Sequence, residues 1–189
     1  MELLLSLCVG LGLSACSGFR IFVPMLAANI AALTGHYHFS QGFEWMGTWT
    51  AFSILATATV SEIAAYYIPW LDNALDHIAM PVAIGAGTLL TASFLSADLT
   101  PALKWGLGLV AGGGTAGIIH AGTGLLRMGS TLTTGGIANP VVSTAENGIA
   151  ISFSILTLII PVIVAGLVLL LLIFIIKKLI FYSKKRNLD

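Results

Sequence analysis

Charged side chains are scarce in this sequence. Eight acidic and eight basic residues stand among 189, whereas 57% of the residues are hydrophobic, and the mean hydropathy is +0.99. A soluble domain of this length needs many more charged groups on its surface. The composition therefore excludes a soluble globular domain and predicts an integral membrane protein, whose first partner is the lipid bilayer.

Cysteine is also scarce, and the basic residues form no stripe with interleaved aromatic residues. Cys8 and Cys16 lie in one apolar stretch, so we expect no disulfide framework. A basic surface of the kind that binds nucleic acid is missing, and we expect no nucleic-acid partner. Five of the eight Lys and Arg residues fall in the tail 177–189, which predicts a cytoplasmic C-terminus.

A short motif in the first apolar stretch raises the question of a lipid anchor. Leu13-Ser14-Ala15-Cys16 has the form of a lipoprotein cleavage site with Cys16 as the modified residue. However, no basic residue precedes it, and the segment that follows is apolar. We therefore expect a membrane helix here, whose small side chains let a neighbouring helix approach closely.

Five apolar stretches reach or approach the 20 or so residues that cross a bilayer. They are residues 3–33, 48–68, 79–95, 103–128 and 148–176. The first contains Pro24 and is too long for one straight span, and the fifth is interrupted by Pro161. The sequence thus predicts an all-α, polytopic membrane helical bundle of about five transmembrane helices.

The predicted spans also give a topology. Counted back from a cytoplasmic tail, five spans place the N-terminus outside, together with the segments 69–78 and 129–147. The segments 35–47 and 96–103 are then cytoplasmic. If the first stretch instead enters and returns, the N-terminus changes side.

The chain carries signs of an internal repeat. Gly-Leu-Gly-Leu begins both segment 10–18 and segment 106–114, and Phe-Ser-Ile-Leu occurs at 52–55 and at 153–156. The two offsets fit one duplication with a small insertion, although leucine and glycine are common enough for chance matches. Halves 1–97 and 98–180 would be inverted, an architecture typical of secondary transporters with sites at the repeat interface.

Ionisable side chains inside apolar stretches are costly unless they are paired or face a cavity. Arg20 and Glu62 can form a buried ion pair beside a substrate path, or one that only fixes helix packing. His120 can relay protons or simply bond a neighbouring helix. The candidate residues for a substrate or ion path are Arg20, Glu62, His120, Arg127, Asn139, Ser143 and Glu146.

The loop before the fifth stretch has two interpretations. Ser143 and Glu146 have the spacing of a capping box, which predicts a helix that starts with Ser143 as its N-cap. A polar, glycine-rich segment that ends at a helix N-terminus also suits anion binding. Both interpretations can hold at once.

Asp72 and Asp76 are spaced four apart, on one helix face. At a membrane surface, such carboxylates can hold Mg²⁺ for a diphosphate substrate, as in intramembrane prenyltransferases. No second acidic motif of this kind occurs in the sequence. A solvated interfacial turn is therefore the competing interpretation, and we predict no cofactor.

Three features together resemble a known family. They are Gly12-Leu-Ser-Ala15 followed by Pro24, Glu62-x5-Ile68-Pro69-x-x-Asp72, and Asn139-Pro140-x-x-Ser143-x-x-Glu146. The sequence resembles, over nearly its whole length, a bacterial membrane family described as domain of unknown function 4126. The resemblance implies a multi-pass protein of the bacterial inner membrane and no established activity.

The intramembrane ionisable groups beside helix-breaking glycines favour a transporter or channel-like permease for a small solute or ion. Arg20 would offset the carboxylates of Glu62 and Glu146. An enzyme that acts on a lipid or polyprenyl phosphate through Asp72 and Asp76 is the second interpretation, although we expect a protein that is not an enzyme. A non-catalytic scaffold is the third, and whether the chain forms a homo-oligomer stays open.

Overall fold

A computed structural model describes residues 3–96 and 98–186, without the side chains of residues 69, 70, 72–74, 76, 77 and 179–186. The described residues form helices and no strands. The helices are α1 (Leu3–Ser17), α2 (Phe22–Leu33), α3 (Trp49–Ala65), α4 (Pro69–Phe94), α5 (Pro101–Leu107), α6 (Gly114–Thr134), α7 (Asn139–Ile159) and α8 (Pro161–Arg186). A π-helical segment, Gly108–Gly113, joins α5 to α6, and a 3-10 turn, Glu44–Gly47, precedes α3.

Three of these helices are long and apolar enough to cross a membrane. They are Pro101–Thr134, which combines α5 and α6, Asn139–Ile159 and Pro161–Lys178. Shorter apolar helices cover Leu3–Ser17, Phe22–Leu33, Trp49–Ala65 and Ile78–Phe94. The all-α membrane bundle predicted from the sequence is confirmed.

The first apolar stretch enters the bundle and returns. Leu5, near the start of α1, and Ile30, near the end of α2, line the same cavity, so the two helices are antiparallel. Residues 18–21 form the turn between them. With 15 and 12 residues, at about 1.5 Å per residue, each helix is shorter than a bilayer core. We call α1, the turn and α2 the re-entrant hairpin.

One end of the bundle gathers the loop 34–48, the loop 95–100 and the α7–α8 junction. Ser40 N donates to Ser93 O at 2.7 Å, and Lys104 Nζ donates to Ser40 Oγ at 3.1 Å. Tyr37 Oη donates to Leu158 O at 2.9 Å. We call this the loop end; the turns 66–68 and 135–138 lie at the opposite end, which we call the tail end.

The chain reverses direction at Pro161. Pro161 begins α8 after α7 has ended at Ile159, and α8 returns along α1, where Val164 and Val168 pack with Ala15. The basic tail therefore finishes at the tail end, opposite the loop 34–48. If the tail is cytoplasmic, the loop end, with the loops 34–48 and 95–100, lies outside. Five straight spans predicted the opposite side for these loops, and the difference arises because the reversal at Pro161 adds one crossing.

Small residues bring the hairpin close to α4 and α6. Ser14 Oγ donates to Gly87 O at 2.7 Å, and a methyl group on Gly10 would lie 2.8 Å from Thr91 Cα. A methyl group on Gly18 would lie 2.7 Å from Ala116 O. The small side chains of residues 10–18 thus allow close helix contact, as the sequence predicts.

Candidate functional site

The turn of the re-entrant hairpin buries an arginine inside the bundle. Arg20 follows the end of α1, and its exposed fraction is 1%. The turn is wedged against α6 because Gly18 carries no side chain to hold it away. A buried guanidinium requires acceptors on several sides, because each unpaired N–H would be costly.

Those acceptors come mainly from α7. Arg20 Nη1 lies 2.9 Å from Glu146 Oε2, and Arg20 Nε donates to Asn147 Oδ1. Arg20 Nη2 donates to the main-chain oxygen of Ser143 at 3.1 Å, and Nη1 also donates to Phe19 O at 3.1 Å. The second and third turns of α7 therefore hold the guanidinium in place.

A second arginine reaches the same carboxylate from α6. Arg127 Nε donates to Glu146 Oε1 at 3.2 Å, and Arg127 Nη2 donates to Oε2. This two-point contact matches the guanidinium fork to the carboxylate. Glu146 thus bridges Arg20 and Arg127, and all three side chains are buried.

An aromatic ring completes the site. Tyr66, at the end of α3, lies with its ring centroid 4.0 Å from Arg20 Cζ and 4.3 Å from Arg127 Cζ. Attraction between a guanidinium and an aromatic face strengthens when both are desolvated. We call Arg20, Tyr66, Arg127, Ser143, Glu146 and Asn147 the arginine cluster.

Glu62 has a different role from the one that the sequence suggests. Its two carboxylate oxygens accept hydrogen bonds from Ile21 N at 2.7 Å and from Phe22 N at 3.0 Å. Glu62 therefore caps the N-terminus of α2, where unpaired amides and the helix dipole favour a negative charge. Arg20 therefore pairs with Glu146 and not with Glu62 as predicted. Glu62 instead binds the main-chain amides of Ile21 and Phe22, which follow Arg20 directly.

Two further candidates lie beside the cluster or apart from it. His120 Nδ1 lies 3.1 Å from Gly18 O, and a carbonyl acceptor requires the proton on that nitrogen. The bond joins α6 to the hairpin turn, whereas the sequence suggested a bond to a neighbouring helix. Asn139 Nδ2 donates to Thr131 Oγ1 at 3.2 Å, which places Asn139 at the α6–α7 connection, outside the cluster.

The predicted capping box is wrong. The helix α7 begins at Asn139, with Pro140 in its first turn, so Ser143 lies inside the helix rather than at its N-cap. Proline suits the first turn because its missing N–H has no partner there in any case. Glu146 is consequently free to point at the two arginines.

The predicted metal ligands lie beyond what the structure describes. The backbone of Asp72 and Asp76 belongs to α4, but their side chains are outside the described residues. Among the residues that the structure describes, no group of three or more His, Cys, Asp and Glu side chains is placed to hold a metal ion.

Sequence reasoning missed two members of the arginine cluster. Neither Tyr66 nor Asn147 is among the candidate residues that the sequence predicts. Tyr66 follows Glu62 by four residues, which is one helical turn, and Asn147 follows Glu146 directly. Helical spacing from the charged candidates could therefore have pointed to Tyr66.

A cavity of about 980 Å³ lies between α2 and α7, toward the loop end. Its lining is mostly apolar, with His36, Tyr37 and His38 at the loop. The residues that line it do not include Arg20 or Glu146. This cavity therefore does not extend as far as the arginine cluster.

The inner part of the cavity nevertheless comes within about one helical turn of the hairpin turn and the cluster. Val23 directly follows Phe22, whose amide binds Glu62. Thr59 precedes Glu62 by three residues, and Ile151 follows Asn147 by four. On the tail side, Asn147 Nδ2 donates to Tyr67 Oη at 3.4 Å, and Tyr67 is 43% exposed.

The fold and the site define a class: a multi-pass helical membrane protein in which a re-entrant hairpin inserts an arginine into a buried ionic cluster. The sequence profile of the domain of unknown function DUF4126 matches residues 7–180, and the chain belongs to that family. No curated protein matches the chain, and no solved structure matches it.

Proposed function

We propose that the protein is a transporter or channel-like permease for a small solute or ion, and that the arginine cluster is its central site. The observation that carries this proposal is the position of the re-entrant hairpin. Broken helices inside a membrane bundle are tolerated where protein or a cavity surrounds the exposed backbone, and transporters place their sites at such breaks.

The cavity and the arginine cluster together suggest a path for the solute across the bundle. The cavity reaches inward from the loop end and stops about one turn short of the cluster, and the exposed Tyr67 lies beyond the cluster on the tail side. The cluster would be the barrier between the two sides, and a change in its contacts would open the path.

The proposed division into halves also favours a site here. Arg20 and Glu62 belong to the half 1–97, whereas Arg127 and Glu146 belong to the half 98–180. Sites at the interface between two inverted halves are a recurring feature of secondary transporters.

The test is solute flux in vesicles that contain the purified protein. Light scattering after an osmotic step reports the permeation of a panel of ions and small neutral solutes. We expect flux above protein-free vesicles for at least one solute, and loss of that flux in Glu62→Gln. Glu44→Gln is the matched control, because Glu44 is exposed and binds only Gly42 N in the loop.

A scaffold is the second candidate, favoured by the complete pairing of Glu146 and by the four bonds of Arg20. Buried ion pairs can fix one arrangement of helices without taking part in transport. Vesicles that remain impermeable to the whole panel, combined with lower melting temperatures for the cluster variants, would favour the scaffold over the permease.

A further inference from the structure

The arginine cluster contains two buried cations that share one carboxylate. Arg127 contacts both oxygens of Glu146, and Arg20 contacts one of them. Guanidinium forks of this kind bind carboxylate, phosphate and other oxyanions, because planar N–H pairs match planar oxygen pairs. The place that the Glu146 carboxylate occupies is therefore built for an oxyanion.

The charges of the described side chains around this place are balanced. Arg20 approaches Glu146 from the hairpin turn and Arg127 from α6, and the ring of Tyr66 lies against both guanidiniums.

A second carboxylate, that of Glu62, binds the amides of Ile21 and Phe22 at the same turn. The ring of His120 binds Gly18 O of the turn. Among the side chains that the structure describes, these two guanidiniums and two carboxylates carry formal charges that sum to zero.

A balanced buried cluster restricts how a free anion can bind. One additional negative charge in an apolar interior costs several kcal/mol unless it is compensated. If the anion displaces the Glu146 carboxylate and that carboxylate takes up one proton, the total charge is unchanged. The anion then has the two guanidiniums, and the displaced side chain is neutral.

We propose that the arginine cluster is an exchangeable site for a small oxyanion, that Glu146 fills it at rest, and that the anion crosses together with one proton carried on Glu146. This inference rests on the proposed transport function and names its substrate class. Water on the entry side supplies the proton, which forms an oxygen–hydrogen bond on Glu146 as its ion pairs break. That bond breaks when the carboxylate returns to the guanidiniums, and water on the other side takes up the proton.

Nitrate is a suitable probe, because it is a small planar oxyanion and the anion of a strong acid, so almost no neutral acid is present near neutral pH to cross the lipid unaided. The protein is placed in phosphatidylcholine vesicles that contain a pH-sensitive dye, and a nitrate gradient is applied inward at constant external pH. We expect the interior to become acidic at a rate that a potassium–valinomycin voltage clamp does not change. Gluconate of equal ionic strength should give no acidification.

Glu146→Gln separates the anion from the proton, because the amide fills the same space but cannot carry the exchanged proton. We expect the variant to lose nitrate-driven acidification and to keep a nitrate flux that now responds to voltage. Glu44→Gln should behave as the unmodified protein does. Nitrate flux without acidification in the unmodified protein, or acidification that survives in Glu146→Gln, would overturn the inference.

Two further outcomes distinguish this inference from the proposed function beneath it. Flux of cations or neutral solutes without nitrate would leave the permease standing and remove the anion site. Absence of flux for every solute would remove both. If Glu146→Gln does not fold, the melting temperature of the unmodified protein is measured instead. Nitrate should raise this temperature relative to gluconate, and more strongly at low pH. An equal effect of the two salts would contradict the anion site.

Discussion

The aligned segments 10–18 and 106–114 pack on the same helix and then diverge. Each lies against Thr91 and Gly87 of α4 through its small residues. The first segment ends its helix at Ser17 and turns back, whereas the second passes through a π-helical segment and continues as α6. Shared packing is therefore compatible with two different continuations of the chain.

The different continuations of the two segments explain how both Arg20 and Arg127 reach the carboxylate of Glu146. The break after Ser17 delivers Arg20 and exposes the amides of α2, which Glu62 caps. The unbroken α6 delivers Arg127 along a helix face. Whether the segments descend from one duplication stays a prediction, but the break in one and the continuity of the other are what form the cluster.

The largest effect on stability is expected for substitution of Glu146, the carboxylate that both Arg20 and Arg127 contact. Glu146→Ala leaves the guanidiniums of Arg20 and Arg127 without their shared partner, and we expect the free energy of unfolding to fall by about 3–5 kcal/mol. Unfolding in mild detergent measures this. Glu44→Ala should change it by less than about 0.5 kcal/mol; an equal loss in both variants would mean that the cluster is not coupled to the fold.

The turn itself can be tested with a matched pair of glycines. A methyl group on Gly18 would collide with Ala116 O, while one on Gly114, its aligned counterpart, would lie at ordinary contact distance, 4.0 Å from Leu109 O. We expect Gly18→Ala to destabilise by about 1–3 kcal/mol. Gly114→Ala should be neutral or stabilising by up to about 1 kcal/mol, because alanine favours helix. Similar effects at the two positions would contradict the close contact between turn and α6.

A smaller effect is expected at the cap of α2. Glu62→Gln keeps an oxygen acceptor but removes the charge that faces two amides and the helix dipole, so we expect a loss of about 1 kcal/mol. Hydrogen exchange of the Ile21 and Phe22 amides gives a local measure and should accelerate in this variant. Unchanged protection of both amides would show that Glu62 does not cap the helix.

The smallest effect has the opposite sign. Gly106 aligns with Gly10, yet it faces open space where Gly10 meets Thr91. Gly106→Ala should raise the free energy of unfolding by about 0.5–1 kcal/mol through helix propensity alone, whereas Gly10→Ala should lower it. Thermal melting of the two variants compares them directly, and the same sign in both would refute the difference in packing.

Composition and helix breakers predicted the architecture well. Scarce charge and long apolar stretches indicated an all-helical membrane bundle, and Pro161 marked a real boundary between helices. The direction of the chain after each break could not be predicted, because proline ends a helix without specifying whether the next one continues or reverses. Here the contact of Ala15 with Val164 and Val168 settles the reversal.

The cost of burying charge predicted most of the cluster but not its pairing. Arg20, Arg127 and Glu146 were candidates because isolated charges in apolar stretches are expensive. Which carboxylate Arg20 contacts depends on where the hairpin turn meets α7, and that is a property of tertiary packing. Once the turn has formed, the amides of Ile21 and Phe22 bind Glu62 in place of Arg20. The sequence does not specify that the chain turns at residues 18–21.

A double-mutant cycle between Arg20 and Arg127 tests the central claim most directly. Arg20→Met and Arg127→Met are combined, and free energies of unfolding are measured for all four proteins. Because Glu146 keeps one partner in each single variant and loses both in the double variant, the double variant should cost at least about 1 kcal/mol more than the two single losses added together. Losses that add within about 0.5 kcal/mol would contradict a shared carboxylate.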